Sequence, residues 1–209
     1  MGEPPFDRCV FINCPFDDAY KPILNAILFC VMSLNFVPRL ATERVDSGET
    51  RLLKIKGLIE GARYSIHDLS RCQASKAGEH YRLNMPFELG LDYGCRQYFG
   101  EGRDGKKFLI LEEKRYRYQA ALSDLAGADI ESHGGHWETA VRKVRNWLCS
   151  EAGAPAPGAQ RIADAYTDFL GWHWKTQLSR GFSEDDIRDY PVRELLDAMT
   201  DWIARGRPV

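Results

Sequence analysis

Cys9-Val10-Phe11-Ile12, closed by Asn13-Cys14-Pro15 and followed by Asp17-Asp18 and a run with Ile23, Ile27, Cys30 and Leu34 at helical spacing, decides the fold. The short apolar run between turn-forming residues predicts a buried strand. The next pattern predicts a helix. Leu24, Leu28 and Val31 widen its apolar stripe, and Pro22 suits a first turn, where no backbone donor is needed.

Working outward, the alternation continues. Phe36-Val37-Pro38-Arg39-Leu40 predicts a second strand, at an edge because Pro38 has no N–H for a ladder. Residues 43–50 are a polar loop with a turn at Gly48. Leu52, Leu53, Ile55, Leu58 and Ile59 mark a second helix that Gly61 can terminate. Tyr64-Ser65-Ile66-His67-Asp68-Leu69 is a third strand, and residues 70–82 are a polar loop. Asn84 is placed to cap a third helix with Pro86 and Glu88 in its first turn. Gly90 and Gly94 share a face of it and predict a close helix–sheet approach. Lys107-Phe108-Leu109-Ile110-Leu111 is a fourth strand and Asp129-Ile130-Glu131 a short fifth. Trp137, Val141, Val144, Trp147 and Leu148 form a further amphipathic helix. Such alternation implies right-handed crossovers and a mainly parallel sheet.

Residues 152–158, rich in Ala, Gly and Pro, read as a linker between an α/β domain (residues 1–151) and a helical appendage (residues 159–209). The appendage predicts helices over 162–178 and 192–203, which carry Trp172, Trp174 and Trp202. Leaving these rings exposed together would be costly, so packing on the α/β domain is preferred to a self-association surface.

With 28 basic against 30 acidic side chains, the net charge of −2 gives no basic excess for nucleic acid. The most apolar stretch, residues 23–34, is too short to span a bilayer, and the polar, Pro-rich start does not read as a signal peptide. The six cysteines are scattered, several inside apolar runs, and read as reduced thiols of a cytoplasmic protein. His133 and His136 have no second ligand pair at metal spacing, so no metal is expected.

In open parallel sheets ligands bind beyond the carboxyl ends of the strands, where strand order switches. Here those ends are Asn13-Cys14-Pro15-Phe16, Ala41-Thr42-Glu43, Asp68-Leu69-Ser70 and Glu112-Glu113. Helix N-termini on that rim favour anions, and Arg51 adds a charge suited to phosphate, although it also reads as a surface residue. The Gly-rich dinucleotide fingerprint, the phosphate loop and the Gly-x-Ser-x-Gly elbow are all missing, which argues against a standard dehydrogenase, a P-loop ATPase and an α/β-hydrolase. Glu88, in Asn84-Met85-Pro86-Phe87-Glu88-Leu89-Gly90, either complements the helix dipole or is a buried functional carboxylate, and its context leaves both open. Asp68 either bonds a ribose hydroxyl or orients Glu88, or it caps the following turn. Asn13 and Phe16 are candidates for base contact, with strand closure as the alternative for Asn13. Asp46 and Ser47 line the entrance or, the preferred reading, lie in a solvated loop. Asn84 completes the candidate binding set; Tyr20 and Asp92 are weaker candidates, and His67 is expected to pack within the sheet.

Val10-Phe11-Ile12-Asn13 followed by an Asp-rich loop and a helix resembles the start of a TIR domain, with Asp46-Ser47-Gly48-Glu49 where that family has its mobile loop. Ser65-Ile66-His67-Asp68-Leu69-Ser70, then Asn84-Met85-Pro86-Phe87-Glu88-Leu89-Gly90, resembles a signature of bacterial TIR-like and nucleoside deoxyribosyltransferase-like proteins. The resemblance covers roughly the first 150 residues. It implies a flavodoxin-like (TIR-like) sheet of five parallel strands with helices on both faces, plus C-terminal helices. It also implies that Glu88 is catalytic in cleaving an N-glycosidic bond. The activity implied is that of an NAD⁺ glycohydrolase in bacterial anti-phage defence, switched on by assembly, with NAD⁺ as substrate and no cofactor. The alternatives are a nucleoside deoxyribosyltransferase or nucleotide N-hydrolase, and a non-catalytic adaptor or nucleotide sensor. The implied partners are a nucleotide-type small molecule, further copies of the chain, and an activating protein or second messenger. In the assembly reading, neighbouring copies fix the 43–50 loop over the site, and the aromatic C-terminal helices add contact surface. The segment of residues 70–82 and Pro86 depart from the family pattern.

Overall fold

The computed structural model describes residues 3–43, 46–71, 83–120, 122–125, 127–154 and 157–206. Strands β1 (Cys9–Asn13), β2 (Val37–Arg39), β3 (Tyr64–Asp68), β4 (Lys107–Glu112) and β5 (Ile130–Ser132) form one sheet in the order β2-β1-β3-β4-β5. Every neighbouring pair is parallel, which gives a flavodoxin-like α/β fold. Pro38 lies opposite Val10 on the edge strand β2, where its missing N–H costs no second ladder.

Side-chain alternation along the strands divides the core. Val10, Ile12, Tyr64, Ile66, Leu109 and Leu111 face α1 (Lys21–Ser33) and α4 (Trp137–Ala152). Cys9 and Phe11 on the other face pack against α2 (Arg51–Glu60), and Ile110 packs with Met85 and Leu89 of α3 (Asn84–Tyr98). Ser65 and His67, the polar residues of β3, are buried on this second face.

Helix α1 is apolar around its whole circumference, with Ile23, Leu24, Ala26, Ile27, Leu28, Phe29, Cys30 and Val31 all buried. The sheet can cover only one side of such a helix. The C-terminal helices α5 (Ala159–Ser179) and α7 (Val192–Ala204) cover the other. Trp202 is buried there, its ring centroid 5.6 Å from that of Phe29 and 6.0 Å from that of Phe169. The appendage is thus the outer wall of the same core. Trp172 packs half-buried at its margin, and Trp174 is half-buried on the same helix. Between α5 and α7, Ser183 and Asp186 form a reciprocal capping box on the short helix α6 (Glu184–Arg188), which the apolar pattern does not announce. Among the described residues no helix is long and apolar enough to cross a membrane.

Two local expectations are corrected. The residue flanking the N-terminus of α3 is Leu83, without a side-chain cap; Asn84 is already helical, so it caps nothing and Glu88 lies in the second turn. A Cβ added at Gly90 or Gly94 would meet nothing within 4 Å, so no close helix–sheet approach requires these glycines. Gly61 ends α2 as expected, although in a right-handed conformation any residue adopts; α1 is followed by Asn35 at φ 67°.

Trp202→Ala should destabilise the protein by about 3–5 kcal/mol, because it empties the contact between α7 and the outer side of α1. The denaturant midpoint measures this; a change within about 0.5 kcal/mol, ordinary for a surface site, would show that α7 does not hold the core closed.

Candidate active site

The strand order reverses at β1 and β3, and a cleft of about 530 Å³ opens there. Its walls are Asn13, Cys14, Pro15 and Phe16 leaving β1, Arg51 at the head of α2, and Leu83, Asn84, Met85 and Glu88 at the head of α3. The volume falls in the range of small-ligand sites. A separate apolar groove between α2 and α3, lined by Leu52, Ile59, Leu91 and Tyr98 among others, shares no residue with it.

Glu88 is only 5% exposed although it borders the cleft. Burial pushes its carboxyl up to about 6, against the opposing pull of Arg51. The Arg51 Nη2 atom stands 3.7 Å from Glu88 Oε1, and most of the arginine side chain faces solvent. Thr50 caps α2 by accepting from the Leu53 amide at 3.4 Å, which fixes the turn that presents Arg51. Phe16 is partly exposed and offers the cleft a ring. Cys14 is buried; desolvation, then the negative charges of Asp68, Glu88 and Asp17, push its thiol up, so it stays protonated and is no nucleophile.

Asn13 is buried at the floor. Its side-chain nitrogen donates to the Met85 carbonyl at 2.8 Å and lies 3.0 Å from His67 Nδ1. Both amide hydrogens are thereby used, so Nδ1 accepts and the ring carries its proton on Nε2. That proton points to Asp92 Oδ2 at 3.1 Å, and Asp92 Oδ1 is 3.1 Å from Lys106 Nζ. His67 therefore does more than pack in the sheet.

Asp68 does not line the cleft. Its Oδ1 accepts from the Ser70 amide at 2.9 Å; its Oδ2 accepts from Tyr20 Oη at 2.6 Å and faces His133 Nε2 at 3.0 Å. Burial raises its carboxyl, but the bonds from His133, Ser70 and Tyr20 outweigh this and hold it low. Ser70 Oγ also lies 3.1 Å from His133 Nε2. Serine, histidine and aspartate thus stand together without forming a nucleophilic triad. Such a triad uses both ring nitrogens, one for serine and one for aspartate. Here His133 Nδ1 accepts from the Gly135 amide at 3.0 Å, and both other partners share Nε2–H. The outer rim is tied by Arg71, which bonds Asp17 at 3.2 Å and pairs with Glu113 at 3.5 Å.

Of the residues singled out from sequence, Asn13, Phe16, Arg51, Asn84 and Glu88 meet at the cleft. Asp46 and Ser47 lie in an exposed turn, closed by the Gly48 amide donating to Asp46 Oδ1 at 2.8 Å, and are not among the cleft-lining residues. Most of the 70–82 segment lies outside the described residues. Lys106 and His133 escape sequence reasoning: each follows or sits in a Gly- or Asp-containing turn that reads as solvated. No family model, curated protein or solved structure matches the chain.

A carboxyl whose folded value is near 6 against an ordinary 4.5 weakens the fold once it ionises. Stability is fully present below 4.5 and is lost as pH rises through 6. Glu88→Gln should therefore stabilise the protein by up to about 2 kcal/mol above pH 6 and by nothing near pH 4, as thermal melts at both values would record. Equal effects at both values would place Glu88 in solvent.

Proposed function

We propose that the chain hydrolyses the N-glycosidic bond of a phosphate-bearing nucleotide, with NAD⁺ as the substrate that the sequence resemblance to TIR-like proteins implies. The observation that carries this reading is the buried Glu88 carboxylate in a cleft at the strand-order switch, with Arg51 above it. Breaking the nicotinamide–ribose bond leaves its electron pair on the ring nitrogen and positive charge on the sugar. A desolvated carboxylate stabilises that charge or bonds to C1′; water then supplies the new C1′ oxygen and releases a proton. Nicotinamide departs as a neutral base, so no strong acid is required, consistent with Cys14 in the cleft wall holding its proton.

Arg51 favours a substrate that carries phosphate over a free nucleoside. Phe16 supplies a face for a base. A purely structural Glu88 would weaken the fold even with Arg51 beside it, which speaks against an adaptor. Activation by assembly and a role in anti-phage defence rest on the resemblance alone.

Purified protein offered NAD⁺, deoxynucleosides and deoxynucleotide monophosphates should release nicotinamide from NAD⁺. Base release from deoxynucleosides alone would instead assign a deoxyribosyltransferase-type enzyme. Glu88→Gln should lower turnover by about 10²–10³-fold or more. The rate should rise with pH through about 6, where Glu88 ionises, and level off above it. Arg51→Met should raise KM for NAD⁺ yet spare nicotinamide riboside, which has no phosphate. Turnover unchanged in Glu88→Gln would remove the reading.

A further inference from the structure

We infer that Asn13, His67, Asp92 and Lys106 are positioning residues for Glu88: a buried hydrogen-bonded chain that fixes the first turn of α3 and so sets the depth of the carboxylate in the cleft. The inference rests on the reading of Glu88 as the reacting group.

Three observations carry it. The chain is continuous, from Lys106 Nζ through Asp92, His67 and Asn13 to the carbonyl of Met85, with links of 3.1, 3.1, 3.0 and 2.8 Å. All four side chains are buried, so water does not compete for these bonds. The turn it reaches lacks a side-chain cap, and its first residues, Leu83 and Asn84, are exposed. Met85 anchors that turn from both ends: its side chain packs with Leu69, Leu89 and Ile110, and its carbonyl holds Asn13.

The chain also has a fixed direction. The Met85 carbonyl can only accept, so the Asn13 nitrogen must face it. The second hydrogen of that nitrogen then demands an acceptor at His67 Nδ1, and the His67 proton is left for Asp92. Asn13 cannot turn its amide over without setting its own oxygen against the Met85 carbonyl. A residue at position 67 must therefore accept on the Asn13 side and donate on the Asp92 side. Glutamine preserves that order; leucine does not.

The test compares Asn13→Leu, His67→Leu and His67→Gln with the parent chain. Its first readout is the titration of the Glu88 carboxyl by carbon-13 NMR, assigned with Glu88→Gln, which needs no activity. The parent should titrate near 6. Asn13→Leu and His67→Leu should shift the midpoint toward 4.5, because a loosened turn lets water reach the carboxylate, and His67→Gln should restore it. The second readout is turnover. Misplacement of about 1 Å can cost on the order of 10²-fold, so kcat should fall by one to two orders of magnitude while KM for NAD⁺ moves little. A midpoint that stays near 6 in a folded leucine variant overturns the inference, as does failure of His67→Gln to differ from His67→Leu. If Asn13→Leu does not fold, the two position-67 variants decide. A shifted midpoint in a protein that turns over none of the substrates would uphold the positioning chain and count against the proposed reaction, so the two failures are distinct.

Discussion

An ammonium ion lies in the interior of this protein. Lys106 is 1% exposed, and taking such a charge out of water costs several kcal/mol unless it is surrounded by acceptors. It donates to the carbonyls of Ile59 and Ala62 and pairs with Asp92. Burial alone would raise the Asp92 carboxyl, but His67 and then Lys106 outweigh it and hold the group ionised. One neutralised charge thus joins the end of α2, the middle of α3, strand β3 and the entry to β4. Removing a single partner from such a group typically costs 3–5 kcal/mol, because the rest remains buried and uncompensated. On the sheet face packed against α2 and α3, β3 presents the polar residues Ser65 and His67, and His67 serves this charge.

The two buried histidines of the sheet rim obey one rule with different outcomes. Each has one ring nitrogen occupied by an N–H donor, which fixes the proton on the other. At His133 the proton is spent on Asp68 and Ser70, and the result is a rigid corner between β3 and the loop after β5. At His67 the bonds run on through Asn13 to the helix that bears Glu88. Chemistry-bearing residue types therefore gather at both places, and the chain through His67 ends at the cleft that holds Glu88.

Most of the architecture is legible in the sequence because β1 and the core of β4 are short apolar runs and every helix but the short α6 has a stripe at helical spacing. Pro38 marks the edge strand by chemistry alone, and Pro22 the first turn of α1. Glu88 stands out as a carboxylate among apolar neighbours. What does not read out is pairing across distance. Nothing in the Arg103-Asp104-Gly105-Lys106 turn says that its lysine bends inward to Asp92 rather than outward to water. Asp68 reads as a ligand group because it ends a central strand, but the partners that occupy both its oxygens come from residues 20, 70 and 133. Asn84 has the right chemistry for a cap and misses that role by one position. Gly90 and Gly94 share a helix face, but only the packed structure shows that no neighbour presses on them.

The run of six apolar residues, 26–31, that is buried on all sides of α1 has a consequence for how the chain is made. Residues 21–33 leave the ribosome before the helices that cover their outer side, which begin 126 residues after the end of α1 and include Trp202. At about 5–20 residues per second, the 46 residues from α5 through α7 alone take seconds to synthesise. For that interval a helix greasy on every side has a partner for only one of them. The core is therefore closed only once α7 has joined it, because Trp202 covers the outer side of Phe29.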